Sequence, residues 1–319
     1  MSDRTDWLLA SDPSLRWRVE RDLLGLPEET WQATRRRVAT EGFGAKLLSL
    51  QDEDGQWAGG AFFPGRDEPR AVTHPDDEKG QPFIATTWSL NALREWGVDA
   101  QVLAGTPEKL AANSRWEYEN LPYWGGEVDV CINSYTLMNG AWLGVDMAAN
   151  AEWFLEHQQA DGGWNCEWIE GSTRGSFHST LNALIGLLDY EKRLGRSERI
   201  TESRHRAEEY LLKRELLFKL STNECVGDWV TQFTYPSRWR YSTLRAINYF
   251  VDACVFDSKP ADARLNKAVE TIRVASNERG RWLNQRQERG SVWFEVDGLL
   301  GEESKWVTYY ALRALTFFA

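Results

Sequence analysis

The sequence has little of what several classes of protein require. It contains 4 Cys among 319 residues, too few for a scaffold built on disulfides, and a chain of this length does not need one. Its 37 Lys and Arg are outnumbered by 48 Asp and Glu, which argues against a nucleic-acid binder because such affinity rests on basic residues at phosphates. No apolar run approaches the roughly 20 residues that cross a bilayer. We therefore predict a protein that binds no nucleic acid and has no transmembrane segment.

The first residues, MSDRTDWLLASDPSLRW, also lack a basic segment followed by an apolar one. No signal peptide is therefore predicted, and we expect a cytoplasmic location. The length of 319 residues is enough for one large hydrophobic core or for two ordinary domains.

Strand signals are nearly absent, because no segment alternates between apolar and polar residues with a hairpin turn beside it. Helical periodicity dominates instead. One set of predicted helices has a single apolar stripe, as in ADARLNKAVETIRVA, which is typical of a helix with one exposed face. We predict an all-α fold. A second set is apolar nearly all round and consists of FIATTWSLNALREWG, INSYTLMNGAWLG, FHSTLNALIGLLDY, WRYSTLRAINYFVDA and WVTYYALRALTFFA.

The turns that precede some of these apolar helices repeat a motif, Gln-x3-Gly-x-Trp. It occurs in QDEDGQW and QQADGGW, and a degenerate third copy, SNERGRW, ends at Trp282. The Gln would end an outer helix, the Gly would allow a tight turn, and the Trp would pack the turn against the next helix. Such self-similarity predicts a helical repeat architecture, in which single units cannot bury their apolar faces alone.

The motif and the apolar helices resemble the terpenoid cyclase and protein prenyltransferase superfamily, which includes squalene–hopene cyclases and prenyltransferase β-subunits. In overall pattern the chain resembles bacterial proteins described as squalene cyclase-like or prenyltransferase-like. The resemblance covers most of the chain, from near residue 45 to the end. It implies one α/α-toroid domain over residues 1–319, a double ring of about six helical hairpins around a cavity. Since one fold hosts many chemistries, the resemblance specifies the fold better than the reaction.

Prenyltransferase β-subunits hold a catalytic zinc with an Asp-x-Cys pair on one inner helix and a His on another. The segment DVCIN supplies Asp129 and Cys131, and SFHSTLNAL supplies His178. Carboxylate, thiolate and imidazole are ligands that zinc takes in proteins, so the resemblance implies a zinc site here. Cys166 lies in the loop before His178 and is a candidate fourth ligand. Three protein ligands would leave a position for a substrate thiolate or water, whereas four would make the site structural.

The resemblance fails at two informative places. The Asp-x-Asp-Asp motif with which class II cyclases protonate an alkene is missing. The Arg and Lys that bind prenyl diphosphate in the β-subunits correspond here to Tyr123 and Gly126, and the Tyr after the zinc Cys is replaced by Ile132. Because phosphate recognition needs fixed cationic donors, a diphosphate site cannot be transferred to this chain.

Aromatic residues are abundant, with 17 Trp, 10 Tyr and 13 Phe, and they either fill a core or line an apolar pocket. Basic residues near the last two apolar helices either bind an anionic ligand or form ion pairs between hairpins, and we favour ion pairs. A polar loop around His74 could cover one end of the predicted ring. Candidate cavity residues are Trp88, Tyr135, Arg238, Trp239, Tyr241, Arg245, Tyr309 and Arg313.

Three functions remain compatible with these patterns. The first is a zinc-dependent transferase or lyase acting on an apolar, isoprenoid-like small molecule. The second is a terpene cyclase without the usual acid, and the third is a binding or scaffold protein with a structural zinc. An open coordination position favours the first function and a closed four-ligand site favours the third. The β-subunits work with an α-subunit, and the sequence leaves open whether this chain needs one.

Overall fold

The computed structural model describes residues 3–73 and 80–319, so His74 and the segment after it lie outside the described residues. Over these residues the structure is 53% helical with 13 α-helices and little strand, which confirms the all-α prediction. Two strands of two residues each, β1 (Trp282–Leu283) and β2 (Glu303–Ser304), pair antiparallel. Within the described residues, no helix combines the length and the apolar composition needed to cross a membrane.

The chain folds into two compact units, each assembled from three segments. The first unit comprises Met1–Glu127, Tyr135–Asn150 and Glu288–Val296. The second unit comprises Val128–Ser134, Ala151–Gln287 and Asp297–Ala319. The prediction of a single toroidal ring remains a prediction, and the candidate site described below lies within the second unit.

The five segments predicted to be apolar nearly all round each overlap a helix, and so does the amphipathic segment ADARLNKAVETIRVA. Six helices lie in the first unit, namely α1 (Asp3–Leu9), α2 (Pro13–Arg18), α3 (Glu28–Arg37), α4 (Gly42–Leu48), α5 (Thr86–Trp96) and α6 (Thr106–Asn113). Two contribute residues to both units, α7 (Val130–Leu143) and α8 (Ala148–Glu156). Five lie in the second unit, namely α9 (Phe177–Leu194), α10 (Glu198–Leu212), α11 (Thr243–Asp257), α12 (Asn266–Val274) and α13 (Lys305–Phe317).

Three apolar helices of the second unit begin with the same kind of cap. Ser176, Ser242 and Ser304 precede α9, α11 and α13, and each hydroxyl accepts a backbone N–H from three residues further on. A serine in this position satisfies one of the amide donors that the first helical turn leaves without an intrahelical acceptor. The starts of these helices are therefore set locally, by the serine that precedes each apolar segment.

The three tryptophans of the repeated turn make the same hydrogen bond. In each case the indole N–H donates to the backbone carbonyl ten residues earlier, near the end of the preceding helix. A buried indole needs such an acceptor, and its ring covers the helix end at the same time. The three bonds are Trp57 to Leu47 at 2.9 Å, Trp164 to Phe154 at 2.8 Å and Trp282 to Ile272 at 2.7 Å.

The same tryptophans are also tied to the apolar helix that follows. Their backbone N–H groups donate to the threonine hydroxyls of Thr86, Thr180 and Thr308, at 3.1, 3.0 and 3.0 Å. Each repeat of the sequence motif thus forms one local connection, fastened to the helix before it and to the helix after it.

Glycine in the second of these turns is required by both conformation and space. Gly162 has φ of +91°, and a Cβ placed there would lie 2.6 Å from the backbone oxygen of Arg206 in α10. Gly171 has the same φ of +91°, but no atom lies within 4 Å of the Cβ position. A larger residue would therefore be strained in its backbone at both positions, but only at position 162 would its Cβ also collide with another part of the chain.

We expect Gly171→Ala to cost about 1 to 3 kcal/mol in the free energy of unfolding, from the left-handed backbone alone. Gly162→Ala should cost clearly more, because its added Cβ would also collide with the backbone of α10, which cannot move aside as a flexible side chain can. Urea denaturation of both variants measures the difference. Equal losses would contradict the contact with Arg206 as a determinant of this turn.

A buried ion-pair network joins α9, α10 and α11. The guanidinium of Arg204 contacts Glu191 at 2.6 Å and Asp257 at 3.0 Å, and the side chains of Arg204 and Glu191 are fully buried. Burial acts to raise the pKa of Asp257, but hydrogen bonds from His205 and Arg204 outweigh it, so this pKa lies below its ordinary value. The network therefore favours the charged form of Asp257.

Removal of Arg204 should leave buried carboxylates without their counter-charge. We expect Arg204→Ala to lower the free energy of unfolding by about 3 to 5 kcal/mol. The control is Arg199→Ala on the same helix, where an exposed side chain pairs with Glu152 and little change is expected. Chemical denaturation compares the two variants, and similar effects would refute the importance of the buried network.

Candidate metal centre

Three side chains of the second unit converge on one point. Ligand atoms of Asp129, Cys131 and Cys166 all lie within 4.8 Å of one another. The two Sγ atoms are 3.4 Å apart, and the Cys166 thiol donates to Oδ1 of Asp129 at 3.1 Å. These three residues could hold a metal ion, and two of them, Asp129 and Cys131, are the pair that the Asp-x-Cys spacing predicts.

The start of α7 positions Asp129 and Cys131. Oδ1 of Asp129 accepts the backbone N–H groups of Cys131 at 2.7 Å and Ile132 at 3.1 Å, and its carbonyl accepts from Asn133 at 2.9 Å. An aspartate before a helix commonly accepts such amides, because the first helical turn leaves them without intrahelical acceptors. The spacing therefore places a carboxylate at the helix start and a thiol in the first turn.

Cys166 is positioned by the loop that follows the second repeated turn. It begins a short 3₁₀ helix, Cys166–Glu170. Its backbone N–H donates to the Ser179 hydroxyl at 3.1 Å, and that hydroxyl contacts its Sγ at 3.2 Å. The indole of Trp168 donates to the carbonyl of Val128 at 2.9 Å. The loop is thus attached both to α9 and to the segment before α7.

The environment of Cys131 favours the neutral thiol in the absence of a metal. The contact with the Cys166 thiol and burial both raise the pKa of Cys131 well above its ordinary value. The amide of Asn182 donates to Sγ of Cys131 at 3.3 Å, which works in the opposite direction. A metal ion would replace the proton, so binding at this site would release protons and strengthen as the pH rises.

The structure does not bring the predicted ligand His178 into this group. Nδ1 of His178 accepts the backbone N–H of Tyr241 at 2.9 Å, and the ring stacks on Trp229 with 4.6 Å between centroids. A neutral imidazole that accepts at Nδ1 carries its proton on Nε2. Neither nitrogen then offers a free lone pair, so His178 in this arrangement is a hydrogen-bonded residue at the start of α9.

The donor types fit zinc. Two thiolates and one carboxylate are ligands that zinc binds in proteins, whereas magnesium and calcium take oxygen ligands. Three protein ligands are one fewer than the four of a structural zinc site. Asn182 and Ser179 donate hydrogen bonds to the two sulfurs, the kind of support that orients metal ligands. Neither residue was predicted from the sequence. The polar Asn within the apolar stretch LNALIGLL of α9 is the feature that could have indicated Asn182.

A second group of potential metal ligands consists of His205, Glu208 and Asp257. Cationic side chains already lie among these ligand atoms. Arg204 pairs with both carboxylates, and Nζ of Lys259 lies 3.2 Å from Nε2 of His205. A metal cation would have to displace or approach these positive charges, so the arrangement is that of an ion-pair network.

Two of the predicted cavity arginines contact neighbouring helices. Arg245 donates to Oδ1 of Asn182 at 2.7 Å, and Arg313 donates to Oδ1 of Asn248 at 3.0 Å. Arg313 also pairs with Asp252. Burial acts to raise the pKa of Asp252. The positive charges of Arg313 and Lys192 together lower this pKa by more than burial raises it, so it lies below its ordinary value. For Arg313 these contacts support the ion-pair alternative, whereas the printed side-chain partner of Arg245 is a neutral amide.

The aromatic cavity candidates lie in tightly packed surroundings. Trp88 and Tyr135 belong to the first unit, with ring centroids 5.4 Å apart. In the second unit, the buried Tyr241 donates its hydroxyl to the carbonyl of Leu216 at 2.8 Å, and the buried Tyr309 packs on Trp306. Each of these rings is thus buried.

The other two candidates lie just before α11. Arg238 has φ of +49°, and the Trp239 carbonyl accepts from Asn182 at 2.8 Å. A small cleft that is partly open to solvent occurs nearby. Its lining includes His178, Trp229 and Arg240, so His178 borders this cleft and is not among the three grouped metal ligands.

Comparison with known proteins identifies no family for this chain. No protein-family model matches it, and no functionally curated protein matches it significantly. The resemblance to cyclases and prenyltransferases therefore rests on the motifs in the sequence.

The burial of Cys131 predicts a difference in thiol reactivity. In reduced, metal-free protein near neutral pH, we expect iodoacetamide to modify Cys131 at least about tenfold more slowly than the exposed Cys225, because alkylation needs an accessible thiolate. Peptide mass spectrometry measures both rates, and the rates should become equal in denaturant. Equal rates in the folded chain would contradict the raised pKa and the burial of Cys131.

Proposed function

We propose that this chain is a zinc-dependent transferase or lyase of the α/α-toroid type that acts on an apolar, isoprenoid-like small molecule. The observation that carries the proposal is the convergence of Asp129, Cys131 and Cys166 on one point. The repeated tryptophan turns support the toroidal part, since the same local connection recurs before three apolar helices.

The number of protein ligands supports a reactive site. With three ligands from the chain, a tetrahedral zinc has one position left for a substrate thiol or water, and a bound zinc acts there as a Lewis acid that lowers the pKa of that group. Cys166 is half-buried, so this side of the group is partly accessible. An open and partly accessible site is what a substrate requires.

The surrounding residues would hold the ligands in place. Asp129 is fixed by the amides at the start of α7. Ser179 and Asn182 each donate a hydrogen bond to one sulfur, which would offset part of the negative charge of two thiolates beside a carboxylate. We expect Asn182→Ala to weaken zinc affinity by about 10- to 100-fold while leaving one site per chain.

The substrate class is inferred from the many aromatic residues of the chain and from Tyr123, which replaces a diphosphate-binding Arg. The resemblance to cyclases and prenyltransferases implies a hydrocarbon ligand, and a chain this rich in aromatic residues has the side chains that would contact one. Tyr123 stands where prenyltransferase β-subunits have a diphosphate-binding Arg, and it is fully buried with its hydroxyl 3.0 Å from that of Thr87. An apolar substrate that is not held through a diphosphate at these positions fits both observations.

A second candidate is a non-catalytic binding or scaffold protein with a structural zinc. The observation in its favour is that His178 directly precedes Ser179, which contacts Cys166. If His178 exchanged its bond to Tyr241 for a metal, the site would have four protein ligands and would be closed.

Elemental analysis of the purified chain and its variants tests the proposal. We expect one zinc per chain, lost in Cys131→Ala and in Cys166→Ala but retained in the control Cys225→Ala and in His178→Ala. Loss of zinc in His178→Ala would favour the closed structural site. A chain that never contains zinc, even after refolding with it, would refute both candidates.

Turnover separates the two candidates once zinc is established. The zinc-loaded chain is incubated with isoprenoid substrates in the presence and absence of a thiol. Product formation that is abolished in Cys131→Ala supports the transferase or lyase. Tightly bound zinc that stabilises the fold without any turnover supports the scaffold.

A further inference from the structure

The two cysteines of the metal centre also form a close thiol pair. Their Sγ atoms are 3.4 Å apart, and a disulfide bond of about 2.05 Å would require an approach of only about 1.4 Å. The other two cysteines have different neighbours. Cys225 donates to the carbonyl of Gly227 at 3.4 Å, and Cys254 donates to that of Pro260 at 3.8 Å.

We propose that Cys131 and Cys166 form a reversible disulfide when the chain meets hydrogen peroxide, and that this disulfide releases the metal. The disulfide rests on the thiol pair alone. The release of metal rests in addition on the zinc site proposed above.

The two cysteines differ in accessibility, which assigns them different roles. Cys166 is half-buried, whereas Cys131 is 8% exposed. Cys166 is therefore the residue that peroxide reaches, and Cys131 is the residue that resolves the oxidised sulfur. An accessible thiol beside a second cysteine is the usual arrangement of a redox-sensing pair.

The chemistry balances with peroxide as the oxidant. The sulfur of Cys166 attacks one peroxide oxygen, the O–O bond breaks, and a sulfenic acid and one water form. The sulfur of Cys131 then attacks the sulfenic sulfur, the S–O bond breaks, and the S–S bond and a second water form. The two thiols lose two electrons and two protons, and peroxide is reduced to two waters.

Two contacts hold the sulfurs close together. The Cys166 thiol donates to Oδ1 of Asp129 at 3.1 Å, which keeps it beside the start of α7, where Cys131 lies. Trp168 ties the loop to Val128, which keeps the sulfenic sulfur close to Cys131. The small approach that the disulfide needs can be made by side-chain rotation and a slight shift of this loop.

Disulfide formation would remove two of the three metal ligands at once. A sulfur in a disulfide has no thiolate charge with which to bind zinc. Asp129 alone would remain, and one carboxylate does not hold zinc against solvent. Reduction by a thiol would regenerate both ligands.

The test uses a chain in which Cys225→Ser and Cys254→Ser leave only the pair. The reduced, metal-free protein is treated with hydrogen peroxide, alkylated and digested, and its peptides are identified by mass spectrometry. We expect a peptide linked through Cys131 and Cys166 in most chains, fully reversed by dithiothreitol. With Cys131→Ser added, the link should be absent and a sulfenic acid should be trapped at Cys166 by dimedone.

Two outcomes would overturn the proposed disulfide. One is oxidation of Cys166 to sulfinic acid while Cys131 remains a thiol, and the other is linkage only between separate chains. A parallel experiment follows zinc release from loaded protein with a chromogenic chelator, and release should keep pace with disulfide formation. A disulfide in a chain that never holds zinc would refute the zinc function alone, whereas zinc bound without any disulfide would refute the switch alone.

Discussion

One carboxylate oxygen, Oδ1 of Asp129, joins the two segments that carry the candidate metal ligands. It accepts two backbone amides at the start of α7 and also the thiol of Cys166. The helix start and the loop are therefore joined through this oxygen, together with the bond from Trp168 to the Val128 carbonyl. A carboxylate that caps a helix is held in one orientation, and this makes a site with few ligands possible.

The repeated turn at Trp164 connects the candidate site to α8 and α9. Trp164 donates through its indole to the end of α8 and through its backbone to Thr180 in α9. Cys166 follows two residues later and donates to Ser179, the neighbour of Thr180. The position of the thiol thus depends on a structural turn that recurs at Trp57 and Trp282.

Local features of the sequence predicted much of the structure. The all-α fold follows from the helical periodicity, and the Asp-x-Cys spacing places both residues in one helix start because capping is local. The position of His178 depended on a partner far along the chain, since the backbone of Tyr241 occupies its Nδ1. The sequence did not predict the buried network around Arg204 either, because its carboxylates come from three separate helices. Contacts between distant residues leave no pattern in a single sequence, and the ring arrangement itself remains a prediction.

X-ray absorption at the zinc edge of the purified, reduced chain tests the central claim most directly. We expect two sulfur neighbours at about 2.3 Å, and nitrogen or oxygen neighbours at about 2.0 to 2.2 Å, with no imidazole signature. In Cys131→Ala the zinc edge itself should be lost, because that variant is expected to lose the metal. A site with one sulfur and a clear histidine contribution, or a chain that takes up no zinc, would contradict the centre formed by Asp129, Cys131 and Cys166.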